Sequence, residues 1–191
     1  MKVFSVCCAV VLGFLFAGTF SGFSQTAKPI ARYTATTANT SSPGESVRID
    51  ILRWSTDSER DPLLTAFETN GATALQGLLQ RAATLGYIWT SETAGYPLRY
   101  AYRITMGDGG ERIVLAIDRQ LGSYEPERWK LSGSAERNDY AFTILELRIS
   151  RTGIGEGKSS LNSKVIVDKT DKTLGIDNYA SIPVLLQGVR K

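Results

Sequence analysis

The chain has 191 residues, a formal net charge of +3 and no histidine, and its only cysteines, Cys7 and Cys8, lie in an apolar N-terminal run. Beyond that run there is no thiol nucleophile, no imidazole base and little that would hold a transition metal, so Cys–His, Ser–His and zinc chemistry are excluded. Positive and negative side chains are interleaved without a basic arm, which argues against nucleic acid as a partner, because phosphate neutralisation needs clustered Lys and Arg.

Residues 1–24 read as a secretory signal: Lys2 is the positive start, Val3 to Phe20 the apolar stretch, and Gly22 and Ser24 the small residues before a cut at Gln25. Retention as a single membrane anchor is the rival reading, but no basic stop-transfer cluster follows. With cleavage the expected location is secreted or periplasmic, with no stable membrane span. Residues 25–44 are rich in Thr, Ala, Ser and Pro and are expected to form a disordered tether. Residues 45–191 are then a single domain. Asn39-Thr40-Ser41 is a glycosylation sequon, with meaning only in a eukaryotic host.

In chain order, Glu45 to Trp54 alternates apolar Val47, Ile49 and Ile51 with polar neighbours, the period of a half-buried strand. Thr56 and Glu59 have capping-box spacing, with Asp57 and Asp61 where a helix N-terminus favours acids. Asn70-Gly71 is a stop signal, and Leu75, Leu78, Leu79 and Ala82 mark a second helix over 72–84. Leu98–Met106 and Glu111–Arg119 form a hairpin about Asp108-Gly109, expected to pair Ile104 with Ile113, Tyr100 with Ile117 and Arg99 with Asp118. Tyr140–Ser150 is expected to pair with Lys158–Asp168 across a glycine-rich loop, setting Glu146 against Lys164. Thr173–Asp177 returns with Val165 opposite Ile176, and Pro183–Val189 is a last strand. Residues 122–139 are a long excursion, of a kind that is often functional. These elements predict an α+β fold: a mostly antiparallel sheet of about six to eight strands with a two-helix insertion after the first strand.

Thr152-Gly153-Ile154-Gly155-Glu156-Gly157-Lys158-Ser159 resembles a phosphate-binding loop, yet it has Thr at the first glycine position and a strand pattern where a helix should follow. No cofactor or metal is implied. A Ser-x-x-Lys pair is absent. Arg53, Trp54 and Asp57 form part of the densest polar cluster, and Trp89 and Trp129 lie near loops outside any clear apolar period, so these five are the candidate ligand contacts. The acids of 57–61 serve equally as helix caps.

Arg53-Trp54-Ser55-Thr56-Asp57, Gly86-Tyr87-Ile88, Arg112 to Arg119 and Asp177-Asn178-Tyr179 together resemble an uncharacterised family of signal-bearing bacterial proteins, associated with soil acidobacteria. The resemblance covers most of the domain, implies a secreted bacterial placement and carries no activity. The functional expectation is a non-enzymatic binding or interaction domain for an envelope protein or glycan. The alternative is a carboxylate-dependent hydrolase of glycan or cell-wall polymer, using acids around Asp57–Asp61 or Glu125–Glu127.

Overall fold

A computed structural model describes residues 28–90, 94–130, 139–177 and 183–191; the signal reading and the middle of the 122–139 excursion lie outside them. The strands are β1 (Ala31–Thr37), β2 (Ser46–Ile51), β3 (Gly86–Trp89), β4 (Gly95–Thr105), β5 (Glu111–Ile117), β6 (Thr143–Ile149), β7 (Ile154–Ser159), β8 (Val165–Asp168), β9 (Thr173–Ile176) and β10 (Val184–Arg190), with one helix, α1 (Asp57–Arg81), between β2 and β3. Strands β1 to β7 follow one another as an antiparallel meander, and β10 closes the circle between β7 and β1. The result is a closed eight-stranded up-and-down barrel, with β8 and β9 as a separate hairpin.

This corrects the expected fold. The barrel sheet has no free edge, the described residues are mostly β, and the one α-helix among them follows the second strand. The origin of the error is β1, which forms within the segment read as a tether. Its large apolar content is low, but Tyr33, Ala35 and Thr37 are buried while Arg32 and Thr34 are exposed, a strand period written in small and β-branched residues. β1 pairs with β2 (Tyr33 opposite Ile49) and with β10 (Thr34 opposite Arg190), so without it the barrel stays open.

The helix begins where the capping box predicts: Thr56 Oγ1 accepts from the Glu59 N–H at 3.3 Å, and Glu59 Oε2 accepts from the Thr56 N–H at 2.9 Å. It remains one element, with a break at Gly71, whose φ of 72° lies in the left-handed region. Leu63, Leu64, Leu75 and Leu79 from both halves are buried against the wall.

Both expected hairpin registers shift. Between β4 and β5 the turn is Met106 to Gly109, closed by a Gly109 N–H to Met106 O bond of 2.9 Å with Gly109 at φ 81°. This three-residue loop adds one residue relative to an Asp-Gly turn, so Ile104 faces Arg112 and Tyr100 faces Ala116. A bulge at Arg99 then points Leu98 into the barrel and Tyr100 out towards α1, and still lets Arg99 Nε donate to Asp118 at 2.9 Å. Between β6 and β7, Glu146 faces Lys158 rather than Lys164, because the glycine-rich stretch is itself strand. A Cβ on Gly155 would stand 1.9 Å from Arg148 O, and one on Gly157 would stand 2.6 Å from the Leu147 side chain. Glycine permits this close approach of β7 to β6. The β8–β9 register is the expected one, with Val165 opposite Ile176.

The barrel interior is filled by Tyr33, Ile49, Ile51, Ile88, Tyr96, Leu98, Ile113, Leu115, Leu145, Leu147 and Leu186, among others. Eight strands enclose only enough room for such side chains. A second core lies outside the wall, where α1 and the β8–β9 hairpin cover Tyr100, Val114, Ala116 and Ile144. Among the described residues no helix is long and apolar enough to cross a membrane.

The turns at 121–130 plug one barrel end with Trp129, which is 1% exposed and packed where glycine at 122, with φ 81°, leaves room: a Cβ there would lie 2.2 Å from the indole. Truncation of this plug should be costly: Trp129→Ala is expected to lower the unfolding free energy by ~3–5 kcal/mol, read from the midpoint of urea unfolding. The half-exposed Trp54→Ala should cost about 1 kcal/mol.

Candidate functional site

The five candidate contacts do not gather. Arg53 is committed to Glu59, with its Nη1 and Nη2 donating to Oε2 and Oε1 at 2.9 and 2.7 Å. That guanidinium, followed by the Thr56 N–H, holds the Glu59 carboxyl well below its usual range, at about 2. Asp57 is exposed and pairs with Arg60 at 2.9 Å. Trp54 is half-buried against the barrel core, with the Arg103 guanidinium 5.1 Å from its ring centre. Trp89 is held between Gly95, whose Cβ position lies 3.1 Å from the indole, and Arg48, 5.0 Å from the ring centre on β2. Trp129 is core. The chain's own arginines therefore cover the rings of Trp54 and Trp89. Of the acids in the excursion, Glu127 pairs with Lys130 on the surface, and Glu125 has one carboxylate oxygen, Oε2, buried without a hydrogen-bond partner among the described residues.

The structure instead gathers charge on the outer faces of β5, β6 and β7. Arg112, at the start of β5, is buried and meets three carboxylates: Glu146 at 3.1 Å, Asp168 at 2.6 Å and Asp171 at 2.5 Å. Glu146 is 2% exposed and also receives Arg148 at 3.2 Å and Lys158 at 3.6 Å. Burial pushes the Glu146 carboxyl up, but its hydrogen bond to Arg112 and the surrounding cations outweigh burial and leave it below its ordinary value. Asp168 is lowered in the same way, against its partial burial, by Arg112 and the N–H groups of Asp171 and Thr170. Lys158 moves the other way from a simple ion pair: burial lowers its amine more than Glu146 raises it, and Arg148 and Arg112 repel its charge. The Glu59, Glu146 and Asp168 carboxyls are thus all lowered from their ordinary values, and a cation occupies the centre of the acid cluster. Among the described residues no group of three His, Cys, Asp or Glu is arranged to hold a metal.

Beside this network a groove of about 520 Å³ opens on the outer wall that α1 leaves uncovered. Glu146, Arg148, Glu156 and Lys158 form its charged floor on β6 and β7, and Pro183, Leu185 and Gln187 its side on β10. Asn39 fixes that side: its Nδ2 donates to Pro183 O at 2.9 Å, and its Oδ1 accepts from the Leu185 N–H at 2.8 Å. The amide of the sequon asparagine is therefore structural. Leu185 itself is 42% exposed. A smaller hollow of about 280 Å³ lies between α1 and the wall, lined by Pro62, Leu63, Leu78, Leu85, Arg81 and Arg99 among others.

Sequence reasoning missed Arg112, Lys158 and Leu185 as members of one site. A faint signal existed: Glu146 interrupts the apolar run Phe142 to Ile149, and Arg112 opens the run Ile113 to Ile117, so each is a charge that needs a partner. No family model, no curated protein and no solved structure matches the chain.

Removing the central cation should be severe. Arg112→Gln leaves the buried Glu146 and its neighbours short of charge and is expected to cost ~3–5 kcal/mol, measured by chemical unfolding at neutral pH. The folded-state values of Glu146 and Asp168 lie below their unfolded ones, so their contribution is fully present above the ordinary carboxylate range. It is lost as pH falls through about 4 and below. The fall in stability with acid should be shallower in Arg112→Gln than in the wild type, as followed by melting temperature against pH.

Proposed function

We propose that the chain is a non-enzymatic binding domain of a secreted or periplasmic protein, and that its ligand sits in the outer groove over β6, β7 and β10. The observation that carries this reading is the filled barrel. With Tyr33, Tyr96 and Trp129 occupying the interior, a ligand has no place inside, and the larger concavity is the groove on the uncovered wall. Its chemistry suits an amphipathic partner with both signs of charge, such as a peptide segment: acid and base alternate along its floor, and Leu185 offers an apolar contact. A hydrolytic role for the acids has less support. General-acid work needs a carboxyl raised towards neutrality, whereas Glu59, Glu146 and Asp168 are all lowered.

The test is a thermal-shift and NMR titration with peptide and glycan libraries. A ligand at a hundred times its dissociation constant should stabilise by ~2.7 kcal/mol. Leu185→Asp should weaken binding at least about tenfold with little change in the unliganded melting temperature, and Lys158→Ala should weaken binding similarly while also lowering stability, because it takes a cation from buried Glu146. Binding that survives both substitutions would place the ligand elsewhere.

A further inference from the structure

We propose that the outer groove holds a covalent anchor for a 2-oxo acid: the Lys158 amine forms an imine with the ligand's keto carbon while Arg148 holds the neighbouring carboxylate. This rests on the groove's being the binding site and names the chemistry of its charged floor.

The arrangement starts from one buried carboxylate. Glu146, 2% exposed, is met by three cations: Arg112 at 3.1 Å, Arg148 at 3.2 Å and Lys158 at 3.6 Å. A guanidinium does not give up its proton in a protein, so when three cations crowd one acid the relief comes at the lysine. The surroundings act in the same direction. Burial lowers the Lys158 amine, Glu146 raises it, and Arg148 and Arg112 lower it again, with a net displacement downwards. Lys158 is also the one lysine among the described residues that is not on the open surface: its side chain is 15% exposed, against 87% for Lys169. A desolvated amine beside other cations is the setting in which a lysine becomes a nucleophile.

What it can react with follows from its neighbours. Glu146 divides its oxygens between them, Oε1 taking Arg148 Nε and Oε2 taking Lys158 Nζ, so amine and guanidinium are held side by side on the groove floor. The terminal nitrogens of Arg148 have no partner among the described residues, and its side chain is 55% exposed. Glu156 lies opposite Arg148 in the β6–β7 register but is exposed and in no ion pair among the described residues, which leaves the guanidinium edge open to a carboxylate. A ligand that satisfies both groups carries a carboxylate next to a carbonyl, which is a 2-oxo acid. The ammonium first gives a proton to water, and the neutral amine then adds to the keto carbon. The carbonyl oxygen and the two amine hydrogens leave as water, so C=N replaces C=O without oxidation or reduction. Once protonated, the imine carries the lysine's positive charge and remains opposite Glu146.

The experiment treats the full chain at neutral pH with pyruvate and sodium cyanoborohydride, which reduces the imine to a stable N-(1-carboxyethyl) amine, and locates the labelled lysines by peptide mass mapping. Lys158 is expected to be labelled at least about tenfold faster than the exposed Lys28, Lys169 and Lys191. That preference should be lost with pyruvamide, which has the keto group without the charge, and in Arg148→Gln. Lys158→Arg, which keeps a cation on Glu146, should remove the fast phase and leave only the slow labelling of the surface lysines. Labelling of Lys158 no faster than the exposed lysines, a preference that pyruvamide shares, or a fast phase that survives Lys158→Arg would each overturn the proposal. The comparison of pyruvate with pyruvamide is made on the wild type and does not depend on the folding of a variant. Peptide binding that Leu185→Asp weakens, with Lys158 unlabelled, overturns the anchor and leaves the groove reading in place. Fast labelling of Lys158 with no library ligand in the groove supports the anchor and removes the peptide.

Discussion

The rest of the structure depends on the pairing of β1 with β10, which joins opposite ends of the chain. Each of these strands would otherwise present a row of unpaired N–H and C=O groups, an open invitation to aggregation. The closure needs curvature that regular pairing does not supply. β10 provides it with an irregularity at Gln187–Gly188, where Gly188 has φ 60° and the register slips against both neighbours, between Thr34 and Thr36 on β1 and between Leu186 and Val189 facing β7. Val184 and Leu186 point inward before this bulge, and the added residue brings Val189 inward after it, beside Tyr33 and Ala35. The pairing also joins residues far apart in sequence, so it carries the largest chain-entropy cost in the fold.

Closure divides the molecule into two apolar compartments. The inner one is packed by the barrel's own strands. The outer one needs α1 and the β8–β9 hairpin as a cover, and Arg112 stands at its border, tying the hairpin turn at Asp168 and Asp171 to Glu146 on the wall. A buried guanidinium with three carboxylate partners is costly to desolvate, and leaving those partners without it would be costlier still. The wall beyond this cover stays bare, which is why the larger groove lies there.

Four aromatic side chains outside the barrel interior carry an arginine at the ring, while Tyr87 instead packs against Trp89, 5.9 Å between ring centres. Arg48 covers Trp89, Arg103 covers Trp54, Arg60 covers Tyr102 and Arg119 lies near Tyr124. Arg60 also donates to the Tyr102 hydroxyl and pairs with Asp57 and Asp61, so the acids that cap the helix also hold a buried cation in place. The polar cluster that stood out at residues 53–61 is accounted for by these structural bonds.

Local signals were legible where short-range physics decides them. The Thr56–Glu59 capping box, the break at Gly71, the β2 alternation and the Val165–Ile176 register all follow from neighbouring residues. The hairpin registers were not, because one added residue in the 106–110 loop and the glycine-driven approach of β7 to β6 are settled by backbone geometry. By itself the sequence determined the lack of thiol and imidazole chemistry beyond the N-terminal run, the alternating strands and the capped helix. Tertiary structure alone decided that Thr-rich β1 is a strand, that the sheet closes, and that Glu146, Arg112, Lys158 and Leu185 share one face. The reason is that their energies come from partners far along the chain: a small strand gains its burial only between β2 and β10, and a buried charge reveals its role only when its counter-charge arrives.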